Sequence, residues 1–501
     1  MIILRLQNEK NLLVMNTLYE LIDSMSKEEL RIFKLISNRV KTSNIRKEFV
    51  LLSNYKRLGD TFNEDKLSKK LYGENKNAFY RLKNRLLSNI INSLTFQHIN
   101  KDNDLSTFKL ILIGKKLKEK GLYDLCYSLF KLAEKKAEKL ELFELLNIVY
   151  LEIIKLSYEK AGINVGVYLA KRKMNNQRLI KINEIDDVLA MVNYNMKKDQ
   201  NYSDVNQKTI KLLEKITTDY SLHPETVNSA TLKVKIIQTI SKLLLQKKKY
   251  VELEEFLKQS IKECAAKNIF SKKTHDVKLQ VLTYLTNCLF KNKKYKESIA
   301  AAHELRKAID EHDGIGFNKY IFYYYNGLVI NYSILDKTKA IEVLLKAKNE
   351  EVIIASDYHY FFICSNLALQ YFDKKNFKPA IKNLSRIIQH KNFLNFDLSF
   401  QIKIIAAELI IRYEIGDFDI LEARIKSINL RFKELLAKPH FNREKMIIKI
   451  ISKLIYVQRV DLNESLKNDI NQLLSIASVE EADELDVINY NKWLSETVLR
   501  K

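Results

Sequence analysis

What most constrains this chain is a pattern that returns every forty-odd residues between about Tyr284 and Leu430. One copy reads Tyr325-Asn326-Gly327-Leu328, Asn331-Tyr332, Lys337 and Ala340-Ile341-Glu342; the next reads Ser365-Asn366-Leu367-Ala368, Tyr371-Phe372, Phe377 and Ala380-Ile381. An earlier copy runs Tyr284-Leu285-Thr286, Phe290, Tyr295 and Ser298-Ile299, and a later one Leu409, Gly416-Asp417-Phe418 and Leu421. The equivalent positions Tyr295, Lys337, Phe377 and Phe418 are 42, 40 and 41 residues apart. A near-constant period of this size points to stacked supersecondary units that share one continuous core.

Each copy makes physical sense as two antiparallel helices. The first carries an apolar or aromatic stripe at helical spacing. A short polar turn follows, as at 291–294 or 373–376, then an aromatic that plugs the turn. A small residue three positions later lets the second helix approach the first. Only 10 Gly and 3 Pro occur in 501 residues, and this scarcity of breakers favours long helices.

These landmarks resemble the tetratricopeptide repeat. Two further copies sit upstream, one at Gly121, Tyr123, Cys126, Phe130 and Ala133, the other at Lys248, Tyr250, Leu253 and Leu257. The resemblance covers about residues 105–430. It departs from the family in a period longer than 34 residues, in Lys where the turn Gly is usual, and in lacking the closing Pro. It implies an all-α, right-handed α-α superhelix with longer helices, whose first helices line a concave groove. In peptide-binding members an Asn one place before the Leu-Gly slot holds the ligand backbone, aided by Lys and Arg that clamp a carboxylate. Asn326 and Asn366 occupy that place, and the same register turns Asn287 and Lys403 inward. The next equivalent is Ala407, so the clamp is incomplete. The alternative role for these amides is hydrogen bonding between neighbouring helices. Tyr325 belongs to a run of aromatics (Tyr320, Phe322 to Tyr325; Tyr358, Tyr360 to Phe362) too dense to be all core, so some should line the groove as anchors.

The formal net charge is +24, from 85 Lys plus Arg against 61 Asp plus Glu. It suits an acidic partner such as nucleic acid. It also suits AT-rich codon usage and solvated lysine faces, since only 17 of the basic residues are Arg. Cys126, Cys264, Cys288 and Cys364 form no Cys-x-x-Cys pair and lie in apolar helical stripes, as expected of a reduced compartment. The first residues are too short an apolar run for a signal peptide, and Met15 is an alternative start. No apolar run approaches bilayer length. The expectation is a cytoplasmic protein without a membrane partner.

Along the chain, residues 1–100 form a helical module. Ser26-Lys27-Glu28-Glu29 is a capping box, and a helix near Glu48 to Tyr55 follows. Asn63 caps a short helix ending at Gly73, and a long helix runs from about Lys76 to Phe96. Short helix, Gly turn and long basic helix give a helix-turn-helix outline. Asn77, Tyr80, Arg81, Asn84 and Arg85 lie on the open face of the second helix, residue types that read base edges in a major groove. The alternative is a cap on the end of the solenoid. Lys101 to Leu105 reads as a linker, 105–430 as the repeats, and 161–230 as their least regular part, with breaks at Gly162 to Gly166 and Ser221 to Pro224. Residues 431–501 read as a helical cap with an acidic segment at Val479 to Asp486. That segment is either a regulatory tail or part of the cap, with Trp493 packed on the last repeat.

No catalytic motif stands out. The eight histidines show no metal-ligand spacing, so no metal or cofactor is implied. His312-Asp313 and Asp357-Tyr358-His359 read as loop and cap residues. Gly314-Ile315-Gly316 lacks the strand that a dinucleotide loop requires. The reading is a non-enzymatic scaffold that binds a protein or peptide segment. A transcription-regulator-like protein with a DNA-binding N-terminal module and a sensing solenoid is the alternative, and an RNA-binding solenoid the third. The sequence sets no oligomeric state.

Overall fold

The computed structural model describes residues 18–38, 43–58, 63–99, 102–198, 229–438, 441–457, 463–476 and 487–498, with 211, 214, 215 and 218 as isolated positions. Among these, every regular element is helical and no strand occurs. The chain divides into two compact units, 1–184 and 185–501.

The first unit opens with helical residues 18–24. Then come α1 (Lys27–Asn38), α2 (Ser43–Leu58), α3 (Glu64–Tyr72), α4 (Lys76–His98), α5 (Asn103–Glu119), α6 (Tyr123–Lys139), α7 (Phe143–Leu156) and the start of α8 (Val165–Lys198). The capping box forms as the sequence implies. Ser26 N donates to Glu29 Oε2 at 2.8 Å, and Glu29 N donates to Ser26 Oγ at 3.2 Å. The second Glu29 oxygen lies 2.8 Å from His98 Nε2, tying α1 to the end of α4. Hydrogen bonding to Ser26 and His98 holds the Glu29 carboxyl below its ordinary range. Leu18, Ile22, Phe33, Leu51, Leu82, Leu86 and Ile90 close a core of their own. Two expectations change here. Asp102 caps a helix that already begins at Asn103, because its carboxylate accepts from Asp104 N and Leu105 N, so the stretch 103–105 is helix and not linker. The irregular 161–230 region contains the 34-residue α8 after the Gly162 turn. The Ser221 to Pro224 break, Pro439 and the acidic run Val479 to Asp486 lie outside the described residues.

The second unit carries the repeat. Its helices are α9 (Ala230–Gln246), α10 (Tyr250–Ala266), α11 (His275–Lys291), α12 (Tyr295–Asp310), α13 (Phe317–Leu335), α14 (Lys337–Lys348), α15 (Glu351–Ile354), α16 (Asp357–Asp373), α17 (Phe377–Ile388), α18 (Leu398–Ile415), α19 (Phe418–Arg431), α20 (Lys433–Leu436), α21 (Asn442–Leu454), α22 (Glu464–Ile476) and α23 (Tyr490–Trp493). Sequence-adjacent helices pack as pairs, and each pair packs on the next. The landmarks Tyr123, Tyr250, Tyr295, Lys337, Phe377 and Phe418 are each the first residue of a second helix. The small positions three residues on, Cys126, Ser298, Ala340 and Ala380, are fully buried. Three turns are plugged by an aromatic pair five residues apart: Phe290 with Tyr295, Phe372 with Phe377 and Tyr413 with Phe418, at 5.9, 5.6 and 6.0 Å between ring centroids. Trp493 packs on the end of α18, donating its indole N–H to Glu414 Oε1 at 2.7 Å with its ring 5.8 Å from Tyr413.

One hydrogen-bond pattern builds most turns. The N–H of the second turn residue reaches back five positions, as in Leu122 N to Leu117 O, Lys249 N to Leu244 O, Lys294 N to Leu289 O, Asn376 N to Tyr371 O and Asp417 N to Arg412 O. This is the Schellman motif, which needs a left-handed residue just before that N–H. Gly121 and Gly416 supply it at two turns (φ 72° and 86°). Lys248, Lys293 and Lys375 supply it at the others, with φ 55°, 61° and 56°. A side chain makes that conformation costly, by about 1–2 kcal/mol per residue. Gly removes that cost, but its greater entropy in the unfolded chain offsets part of the gain. Each Lys→Gly change at 248, 293 and 375 is therefore expected to stabilise by about 0.5–1 kcal/mol. Lys374→Gly, at φ −87° in the same turn, should not. Urea midpoints of the three variants and this control check it. The turn before Lys337 is built differently. Asp336 is extended there (φ −159°) and caps α14 through Thr338 N and Lys339 N.

Candidate functional site

The first helices of successive pairs are α11, α13, α16 and α18. Asn287, Asn326, Asn366 and Lys403 fall one on each, all half-buried while most of their neighbours are buried. The packing that fixes their spacing is visible at the α11–α12–α13 junction. Ser298 Oγ on α12 donates to the Thr286 carbonyl on α11 at 2.8 Å. It accepts from Asn331 Nδ2 on α13 at 2.7 Å, and that same amide donates to Gly327 O at 2.7 Å. Gly327 faces α11 so closely that a Cβ would lie 2.7 Å from Thr286 Cγ2. One repeat later, Gln370 on α16 donates to Ser333 Oγ on α13 at 3.0 Å. At these two junctions the amides that join helices are the buried Asn331 and Gln370, not Asn326 and Asn366. Asn366 Nδ2 donates within its own helix, to Phe362 O at 2.9 Å. Asn326 Oδ1 is covered and has no partner.

The aromatics divide as their density requires. Tyr320 is buried and its hydroxyl donates to Asp276 Oδ1 at 3.0 Å. Phe322 is buried and stacks on His359 at 4.0 Å and 13°. Tyr325 is half-buried; its hydroxyl donates to Glu350 Oε1 at 2.6 Å, and burial together with that carboxylate raises its pKa. Tyr323 and Tyr358 stay exposed, at 40% and 66%. Between the second helices, Lys348 Nζ and Arg386 Nη1 both donate to Asn383 Oδ1, at 2.9 and 3.3 Å. Burial, with Arg386 and Lys382 nearby, lowers the Lys348 pKa. Two cations sharing one neutral oxygen, with no carboxylate paired to them among the described residues, form a place where an acidic group gains energy.

In the N-terminal module, Gly73 (φ 60°) ends α3 and Asn75 caps α4 by accepting from Ala78 N at 3.0 Å. Phe79, Leu82, Leu86 and Ile90 pack inward. Asn77, Arg81, Asn84 and Arg85 are exposed at i, i+4, i+7 and i+8, one face of α4, with Tyr80 half-buried beside it. Arg85 Nε lies 3.8 Å from the buried Glu48 of α2, so part of its charge is answered within the module.

One cluster escapes the sequence pattern. His275, Glu311 and His312 are 36 and 37 residues apart in the chain, yet they converge where the start of α11 meets the end of α12. No motif spacing marks them, because the pairing of the helices brings them together.

Among the described residues no helix is long and apolar enough to cross a membrane. No family model matches the sequence, and no curated protein matches it. Among solved structures the chain is similar to the crystal structure of the apo form of RapI, with a TM-score of 0.44 and 13% identity over 79% of this chain and 95% of that one.

Proposed function

We propose that this chain is a non-enzymatic interaction scaffold of tetratricopeptide-like helix pairs, and that it holds an acidic, extended protein segment along the first helices of those pairs. The observation that carries the reading is the repetition of Asn287, Asn326 and Asn366 on three successive first helices. An amide side chain can hydrogen-bond a peptide backbone, and at Asn326, whose oxygen is covered, the NH2 is the group left to do so. Lys403 continues the row as a cation. The exposed Tyr323 and Tyr358 add aromatic surface on the same helices. Lys403 on the same row and the +24 net charge suit an acidic partner.

The contiguous Asn77, Arg81, Asn84 and Arg85 face favours a second reading, duplex DNA bound through α4. One experiment separates the two. The tagged full chain is used to capture partners from lysate with and without nuclease, and is also titrated with a labelled duplex. Asn326→Ala with Asn366→Ala is expected to lose a captured, nuclease-resistant protein partner while circular dichroism stays unchanged. Undiminished capture would reject the proposed face. A shift of the duplex that weakens steeply with salt and disappears with Arg81→Ala and Arg85→Ala would establish the second reading in its place.

A further inference from the structure

The junction of α11 and α12 holds a three-ligand cluster that the interaction reading does not use. His275 is the first residue of α11 and is 1% exposed. Its Nδ1 lies 3.8 Å from Glu311 Oε2, and its other ring nitrogen, Nε2, is covered without a hydrogen-bond partner. The His312 ring meets the His275 ring edge-on, with centroids 4.8 Å apart at 84°. One ligand atom from each of His275, Glu311 and His312 lies within 4.8 Å of the others. A tetrahedral ion with bonds of about 2.1 Å places its ligand atoms about 3.4 Å apart. The remaining contraction falls on the exposed side chains of Glu311 and His312, while His275 is fixed by its burial.

The backbone that presents His312 is unusual. His312 (φ 53°, ψ 44°) and Asp313 (φ 62°, ψ 28°) are both left-handed, and Gly314 follows at φ 69°. Two non-glycine residues in succession in this region cost about 1–3 kcal/mol each. Burial, and after it the nearby His312, depress the His275 pKa, with Lys278 acting the same way and Glu311 and the Ala308 carbonyl opposing. Lys278 Nζ meets both Glu311 oxygens, at 2.6 and 2.8 Å, so a cation already answers that carboxylate.

We propose that His275, Glu311 and His312 form a site for a divalent transition metal of the zinc type, two imidazoles and one carboxylate with water completing the tetrahedron. Such a donor set suits Zn²⁺, and Co²⁺ substitutes for it as a probe. The ion displaces Lys278 from Glu311 and fastens the start of α11 to the turn after α12, stiffening one repeat pair.

The test is titration of the metal-free full chain with Co²⁺ by absorption and with Zn²⁺ by calorimetry. One equivalent should bind with an affinity on the order of micromolar. The tetrahedral Co²⁺ spectrum should lack a thiolate charge-transfer band, since no cysteine belongs to the cluster. His312→Ala and Glu311→Gln, both exposed positions that leave the fold intact, should each weaken binding about tenfold or more. Lys278→Gln should tighten it by removing the competing cation, an effect that a merely structural cluster would not produce. Absence of binding at a hundred micromolar metal overturns the proposal. So does binding that survives both His312→Ala and Glu311→Gln, because the ion then sits elsewhere. The site does not depend on Asn326 or Asn366, so its failure and that of the peptide face are read separately.

Discussion

Replacing Glu408 by alanine is expected to destabilise the chain by about 3 kcal/mol, because it strands two arginines. α18 is buried almost all round, from Ile404 through Ile411, and Glu408 sits within that run at 2% exposure. A helix of this kind has no solvent face on which to place a charge. The carboxylate is kept by direct pairing: Arg412 Nε donates to Oε1 at 2.9 Å and Arg424 Nη2 to Oε2 at 2.6 Å. Arg412 also faces Asp417 at 3.6 Å in the turn between α18 and α19. One acid therefore binds both helices of the last pair and their turn. Removing it leaves Arg412, with 15% of its side chain exposed, without its buried partner, and Arg424 with its covered Nε still lacking an acceptor. Losing one member of a buried pair costs about 3–5 kcal/mol, and the partial exposure of Arg424 keeps the estimate at the lower end. Glu408→Gln retains shape and one acceptor and should cost about half as much. Glu408→Leu combined with Arg424→Leu should recover part of the loss, since an apolar substitute carries no stranded charge. Urea unfolding followed by circular dichroism reads all three. A Glu408→Ala loss below about 1 kcal/mol would mean that solvent answers both arginines.

The repeat, and with it the helix pairs, was legible in the sequence because it is written in local chemistry. Aromatic, small residue and polar turn recur at a fixed distance, and the structure opens a second helix at each landmark from Tyr123 to Phe418. Caps were legible for the same reason, as Ser26 with Glu29 and Asn63 with Lys66 are interactions three residues long. The limits of local reading show in the stretch 103–105, where polarity suggested a linker and Asp102 instead starts a helix. The lysines at the turns looked like departures from the family. Their left-handed backbone shows them filling the glycine's place at an energetic cost. Of the site, the row Asn287, Asn326, Asn366 could be read because it repeats. The Ser298 to Asn331 bond and the His275, Glu311, His312 cluster could not. Each joins residues more than thirty positions apart whose meeting depends on how one helix leans on the next.

That lean is set most sharply at Gly327, and Gly327→Val is the change expected to disturb it most. Gly lowers helix stability by about 1 kcal/mol relative to Ala, so an interior Gly without a packing role would be improved by substitution. Here a Cβ would stand 2.7 Å from Thr286 Cγ2 and 3.4 Å from the Ala302 Cβ. Thr286 cannot move aside easily. It is β-branched, 1% exposed and bonded through its own hydroxyl to Leu282 O. Overpacking of this kind costs about 1–3 kcal/mol, which leaves Gly327→Ala a net loss of about 1 kcal/mol. Val adds two further methyl groups in the same gap and should cost about 3 kcal/mol. Thr286→Ser keeps the hydroxyl and removes the clashing methyl, so in its presence most of the Ala penalty should vanish, a coupling that a double-mutant cycle measures. The consequence reaches the proposed face. Forcing α13 off α11 stretches the Ser298 to Asn331 bond and changes the distance between Asn287 and the neighbouring Asn326. Partner capture should therefore fall with Gly327→Ala even at temperatures where the chain is fully folded, and return with Thr286→Ser. If Gly327→Ala raises stability instead, α11 and α13 are not held at contact distance, and the row of amides has no fixed spacing with which to read a peptide.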